Sequence, residues 1–166
     1  MSVATPTLAP ACAATMRSAS ATVPTPFGPV TLTEADGRIV RLDWHAGGGD
    51  GSDLLAEACR QLADYFAGAR RGFDLPLAFL PGLTGEVQRA MAAIPFGETR
   101  TYGDLAREIG VPAQAIGQAC GANPLPILIP CHRILGSTGL GGFSAPGGVE
   151  TKVALLRLEG AASLLI

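Results

Sequence analysis

The stretch TPFGPVTLTEADGRIVRLDW, Thr25 to Trp44, narrows the fold more than any other. Val30 and Leu32 alternate with polar residues before Asp36-Gly37, and Ile39, Val40, Leu42 and Trp44 follow it. A two-residue Asp-Gly break between such runs is the signature of a tight β-hairpin. HAGGGDGS, His45 to Ser52, then reads as a flexible loop. Ser52 or Asp53 can cap a helix, Asp53 to Ala69, whose apolar face is Leu54, Leu55, Ala58, Leu62 and Phe66. Cys59 lies in that helix as a core thiol. Phe73 and Leu75 are candidates for a further strand, and LAFLPG, Leu77 to Gly82, reads as a connection to a second lobe.

The second half is mostly helical in pattern. Thr84 is a candidate cap for a helix carrying Val87, Met91 and Ile94. YGDLAREIG, Tyr102 to Gly110, is a short helix ended by glycine, and Val111-Pro112 opens PAQAIGQACGAN. Two short helices joined by a glycine-containing turn match a helix-turn-helix. The second of them is poor in bulk: Ala113, Ala115, Gly117, Ala119, Gly121 and Ala122 line much of it, with Ile116 and Cys120 as its inward edge. Such a surface suits close packing against a neighbouring helix or close approach to a nucleic-acid groove. A strand-rich start and a helix-rich end give an α+β fold of two lobes.

ILIPCHRILG, Ile127 to Gly136, spends an apolar strand and Pro130 on presenting one cysteine, Cys131, with His132 and Arg133 directly behind it. A reactive thiol needs a lowered pKa or an adjacent base. On a strand, successive side chains point to opposite faces, so His132 reaches Cys131 through a bridging water only if the chain turns there. An imidazole base also needs a group to orient it, and Glu150 and Glu159 are the carboxylates downstream. Arg133 has two readings: a cation that lowers the thiol pKa, or a structural anchor.

Composition excludes several function classes. The chain has 166 residues, 48% of them hydrophobic, enough for a sizeable core. The formal net charge of −2 carries no general basic character, so any DNA contact must come from a few placed groups and helix N-termini. The cysteines, Cys12, Cys59, Cys120 and Cys131, include no CxxC pair, and His45 and His132 are the only histidines. Neither a metal site nor a disulfide framework is expected, and the chain reads as reduced and cytoplasmic. No apolar run reaches the length of a membrane span. Residues 1–22, rich in Ala, Ser, Thr and Pro, are expected to form a disordered extension, with lobes over 23–80 and 81–166.

The run NPLPILIPCHRILGSTGLGGFS, with IPFGETRTYGDLA before it and TKVALLRLEG after it, resembles the O6-alkylguanine-DNA alkyltransferases. The resemblance is strong from Thr84 to Gly160 and extends more loosely over 25–76, where it implies a ribonuclease-H-like lobe. It implies Cys131 as alkyl acceptor, His132 as a water-mediated base and Glu159 as the group that holds the histidine. Asn123 would support the turn that shapes the site, and Tyr102 would donate to the guanine. Ser144 would contact the flipped base and Phe143 would wall the pocket, with Cys120 nearby as a wall residue. The carbonyls of Cys131 and Ile134 would read the exocyclic amine, and Gly141 and Gly142 would let a lid loop close. The recognition helix would present Ala113, Gln114, Ala115, Gly117 and Gln118 to the minor groove, with Arg133 a further DNA contact.

The implied partner is double-stranded DNA bearing O6-alkylguanine, with O4-alkylthymine as a second substrate class. The implied protein is a monomer without a cofactor that transfers one alkyl group per molecule. A damage-recognition module that flags lesions without alkyl transfer is the alternative, and a thiol enzyme unrelated to DNA is a third reading.

Three positions depart from the family pattern. Gln114 stands where an arginine is usual, Gln88 follows Val87 where a tryptophan is common, and the lid reads FSAPGG with Phe143 in a tyrosine position.

Overall fold

The computed structural model describes residues 18–161. Strands β1 (Ser18–Val23), β2 (Val30–Ala35) and β3 (Arg38–Asp43) form one antiparallel sheet in the order β1-β2-β3. The β2–β3 turn has positive φ at both Asp36 (50°) and Gly37 (73°), the conformation a two-residue hairpin turn needs to match strand twist. Leu32 faces Leu42 across the pair, and a bulge follows between Thr33 and Glu34.

β1 corrects the expected extension over residues 1–22. Ser18–Val23 pairs along its whole length with β2, and the Thr22 and Thr31 hydroxyls meet at 3.0 Å. Its apolar positions are Ala19, Ala21 and Val23, too small a set to raise a strand signal without the partner strand. Residues 1–17 lie outside the described residues.

Helix α1 (Asp53–Phe66) covers β1 and β2. Ser52 is its N-cap, accepting from the Leu55 amide at 3.1 Å. Leu55, Ala58, Leu62 and Tyr65 recur at helical spacing on its buried face. Phe73 and Leu75 form no strand. Gln61 holds that segment by bonding both the amide and the carbonyl of Asp74. A single bridge, Ile39 to Leu77, covers the β3 edge just beyond it, before the chain crosses to the second half.

Helix α2 (Gly82–Ala92) starts earlier than Thr84, with Pro81 in the cap position and no side-chain cap. Short strand β4 (Arg100–Thr101) pairs in parallel with β5 (Ile134–Leu135). Helix α3 (Tyr102–Ile109) opens on a capping box of Thr101 and Asp104 and closes at Gly110 with φ of 81°. Pro112 then caps α4 (Ala113–Gly121), completing the expected helix-turn-helix. Helix α5 (Val149–Leu158) ends the described fold. The architecture is the α+β one expected. None of these helices is long and apolar enough to cross a membrane.

The apolar run before Cys131 is not a strand. Residues 124–130 form buried turns in which Leu128 N donates to Pro126 O and Ile129 N to Leu125 O, both at 2.8 Å. Pro124, Pro126 and Pro130 remove three ladder donors within seven residues, so no sheet could accept the segment. Ile127 takes φ of 71°, a costly conformation for a β-branched residue. The Leu42 amide on β3 donates to Pro124 O at 2.9 Å, tying the first half to this turn.

Candidate active site

Cys131 opens a single 3-10 turn, Cys131–Arg133, whose amide donates to Ile129 O at 2.8 Å. The turn removes the strand alternation that would have put Cys131 and His132 on opposite faces. His132 is fully buried, and its Nε2 lies 2.8 Å from Glu159 Oε1. Glu159, just past α5, is the orienting carboxylate; Glu150 is exposed.

The carboxylate is held from four directions. Oε1 accepts from His132 Nε2, from Arg133 Nη2 at 2.8 Å and from Tyr65 Oη at 2.7 Å, while Oε2 accepts from Arg133 Nε at 2.9 Å. Burial alone would raise the Glu159 pKa, but the hydrogen bonds from His132 and Arg133 outweigh it and hold it at about 2. An ionised carboxylate only accepts, so His132 carries its proton on Nε2. Burial lowers the His132 pKa, and the ring rests neutral with its lone pair on Nδ1. Nδ1 is buried and has no hydrogen-bond partner among the described residues. A base with one nitrogen pinned and the other free is the result.

Burial pushes the Cys131 thiol up. A hydrogen bond from Asn123, the charge of Lys152 and the amides of Cys131 and His132 act against that rise. At rest the site therefore holds a thiol and a neutral imidazole. Asn123 also braces the turn: Nδ2 donates to Ile129 O and Oδ1 accepts from Leu125 N, both at 3.1 Å.

Cys131 faces a cavity of about 390 Å³, within the usual range for small-molecule sites. Tyr102, Gly117, Cys120, Asn123, Gly142, Phe143 and Ser144 line it with Cys131. Burial, and then the two cysteines, raise the Tyr102 pKa and keep it a donor. Cys120 is pushed up to about 12, chiefly by burial, which suits a wall residue. Phe143 packs edge-on to Trp44 of the sheet half with ring centres 6.4 Å apart. Gly141 has φ of 72°, and a β-carbon there would meet the Tyr102 ring at 2.9 Å, so the loop passes flat against Tyr102 only as glycine.

A second recess of about 420 Å³ adjoins the first and shares Tyr102 and Gly117 with it. Ala113 and Gln114 line that recess, and Gln118 is exposed on the same helix; Ala115 is half-buried. Ile116 and Ala119 turn inward, leaving the small-residue face open.

Two expected residues are placed differently. Arg133 is 7% exposed, bound to Glu159 twice and to Ile94 O at 2.6 Å. With those donors engaged inside the protein it anchors the carboxylate, and the DNA contact expected of it is withdrawn. Ile134 is buried and lines neither cavity; its carbonyl accepts from Lys152 Nζ at 2.5 Å and retains a second lone pair.

Three residues of the site were missed. Lys152 is fully buried, bonds Ile134 O and Gly142 O, and sits 6.0 Å from the Tyr102 ring centre. A lysine at helical spacing with Leu155 and Leu156 was a readable signal. Tyr65 shares the α1 stripe with Leu62, and its hydroxyl bridges 94 positions to Glu159. Gln88, fully buried on α2, bonds Asn123 and had been noted only as a departure. Among the described residues no group of three potential metal ligands occurs.

Residues 83–161 match the family model of the 6-O-methylguanine DNA methyltransferase DNA-binding domain, and residues 19–79 that of its ribonuclease-like domain. A methylated-DNA–protein-cysteine methyltransferase of Mycolicibacterium paratuberculosis is 39% identical over 83% of this chain and 90% of its own length. The constitutive enzyme of that name from Bacillus subtilis is 38% identical over 83% and 93%. A crystal structure of Mycobacterium tuberculosis OGT in complex with DNA superposes with a TM-score of 0.75 at 35% identity, covering 86% of this chain and 93% of that one.

Proposed function

The chain belongs to the 6-O-methylguanine DNA methyltransferase family, and from that premise we propose that Cys131 takes one alkyl group, chiefly methyl, from the O6 atom of a guanine turned out of duplex DNA. The protein is a methylated-DNA–protein-cysteine methyltransferase; it repairs DNA by alkyl transfer, and DNA is its partner.

The observation that carries the proposal is the His132 ring, with Nε2 on an ionised Glu159 and Nδ1 buried without a partner. A water between Nδ1 and the thiol passes the Cys131 proton to the imidazole, and Glu159 stabilises the imidazolium. The sulfur attacks the alkyl carbon, the S–C bond forms and the C–O6 bond breaks. Tyr102 donates its proton to the departing guanine, and the proton held on His132 returns to Tyr102 through solvent.

The lesion lies inside a base stack, so the nucleotide must be extruded, at a cost of a few kcal/mol. Residues 81–166 act as the DNA-binding and alkyl-acceptor unit and residues 23–80 as the supporting lobe. The open face of α4 lies in the minor groove, where bulk would clash, and Ala113, Gln114, Ala115, Gly117 and Gln118 meet the DNA. Ser144 and Gly142 contact the base, and Phe143 and Cys120 wall it. The thioether is stable and no group among the described residues is placed to hydrolyse it, so each molecule, acting as a monomer, works once. O4-alkylthymine is a second substrate.

Intact-mass spectrometry after incubation with excess O6-methylguanine oligonucleotide tests this. The expected result is a gain of one methyl group and no more, absent in Cys131→Ser. Lesion binding without mass gain would make the protein a damage-recognition module and overturn the proposal.

A further inference from the structure

Gln88 is a fully buried glutamine in the apolar face of α2, beside Val87. Its Oε1 accepts from the Leu80 amide at 2.7 Å, and its Nε2 donates to Asn123 Oδ1 at 3.2 Å. The direction of this chain is fixed by its ends. Leu80 N–H can only donate, so the Gln88 oxygen must face it and the Gln88 NH2 must face Asn123. Leu125 N–H can only donate, so the Asn123 oxygen must face both it and Gln88. The Asn123 NH2 is then left for Ile129 O and the Cys131 sulfur.

Leu80 belongs to the segment joining the two halves, and it is held hard against α2. A β-carbon on Gly85 would overlap the Leu80 carbonyl, so that segment has no room to shift along the helix.

We propose that Gln88 is a positioning residue: by linking the Leu80 amide to Asn123 Oδ1 it locks the Asn123 amide with its N–H groups toward Ile129 O and Cys131, and so sets how readily the thiolate forms. This rests on the reading of Cys131 as the reactive group but not on its acting upon DNA. The other groups facing the sulfur are Lys152 on α5, Tyr102 on α3, Cys120 on α4 and His132, and none of them bonds Gln88.

The test is the pH dependence of Cys131 alkylation by iodoacetamide, followed by peptide mass mapping, in the full chain and in Gln88→Met and Gln88→Glu. Methionine keeps the volume and removes both hydrogen bonds. Ionised glutamate puts an acceptor against Asn123 Oδ1 and turns the amide over. The alkylation midpoint is expected to move to higher pH by about one unit in Gln88→Met, the loss of roughly one hydrogen bond to the thiolate, and further in Gln88→Glu. A midpoint unmoved in a folded variant, with only the melting temperature lowered, would reduce Gln88 to a packing residue and overturn the proposal.

If neither variant folds, the parent decides. The Gln88 side-chain amide resonances should shift when Cys131 is alkylated, and unmoved resonances overturn the proposal. A moved midpoint in a protein that gains no methyl from DNA would refute the repair reading and leave this one standing.

Discussion

Glu159→Gln is the most informative single change. The carboxylate is 4% exposed, and the change removes its charge while keeping its shape. Two independent estimates of the stability cost converge. Holding the carboxyl at about 2 instead of 4.5 corresponds to roughly 3 kcal/mol of preferential stabilisation of the ionised form in the folded protein. Removing one partner of a buried ion pair, here leaving Arg133 without its counter-charge, costs about 3–5 kcal/mol.

The sign follows from the depressed pKa. Stability from Glu159 is fully present above pH 4.5 and is lost as pH falls toward 2. His132 acts in the same sense, because its buried ring resists protonation below 6.5 while the unfolded chain accepts the proton. Urea denaturation of the parent from pH 7 to pH 4 should show that acid decline, and at pH 7 the variant should be about 3 kcal/mol less stable than the parent. In the folded fraction alkyl transfer should drop roughly 10²–10⁴-fold, because the imidazolium loses its counter-charge. A variant within about 1 kcal/mol of the parent at pH 7, with no acid decline in the parent, would refute the claim that this carboxylate is the charged hub of the site.

Lys152→Met should slow Cys131 alkylation at neutral pH and move its midpoint upward, because the nearby cation is one of the terms opposing the burial rise; rate against pH measures it. Gly141→Ala should cut transfer to DNA at least tenfold with a small change in melting temperature, since the added methyl meets Tyr102 on an exposed loop; single-turnover kinetics beside a thermal melt separate the two. Gln114→Arg should tighten DNA binding and steepen the slope of log K against log salt by about one, read by fluorescence anisotropy in a salt series.

Local signals in the sequence were reliable where the physics is local. Asp36-Gly37 dictated a positive-φ turn, Ser52 capped α1 and Gly110 closed α3, because each satisfies backbone groups within a few residues. The segment before Cys131 misled because its apolar content was read ahead of its three prolines. β1 escaped notice because its alternation is written in alanine and serine. In the site, the residues alone left Glu150 and Glu159 as alternatives, and the family resemblance picked Glu159, whose geometry requires a contact 27 positions away. Tyr65, Gln88 and Lys152 each occupy an apolar stripe, where a polar side chain can be a spectator or a strut. The choice depends on partners 94, 35 and 18 positions distant, and no window along the chain holds both ends.

The buried thiol looks wrong for a nucleophile, and it suits the single use proposed for this one. A thiolate maintained at rest would react with any small electrophile, and one unproductive alkylation would end the life of the molecule. Burial raises the cost of the charged form, and the cavity, the Asn123 amide and Lys152 offset that cost only in part. In the proposed mechanism the remaining step is proton removal by His132, whose burial keeps the ring neutral. Its Nδ1 has no partner among the described residues, so on that mechanism a water must bridge it to the sulfur. A flipped base in the Cys131 cavity would shield that relay from bulk solvent and so couple reactivity to recognition.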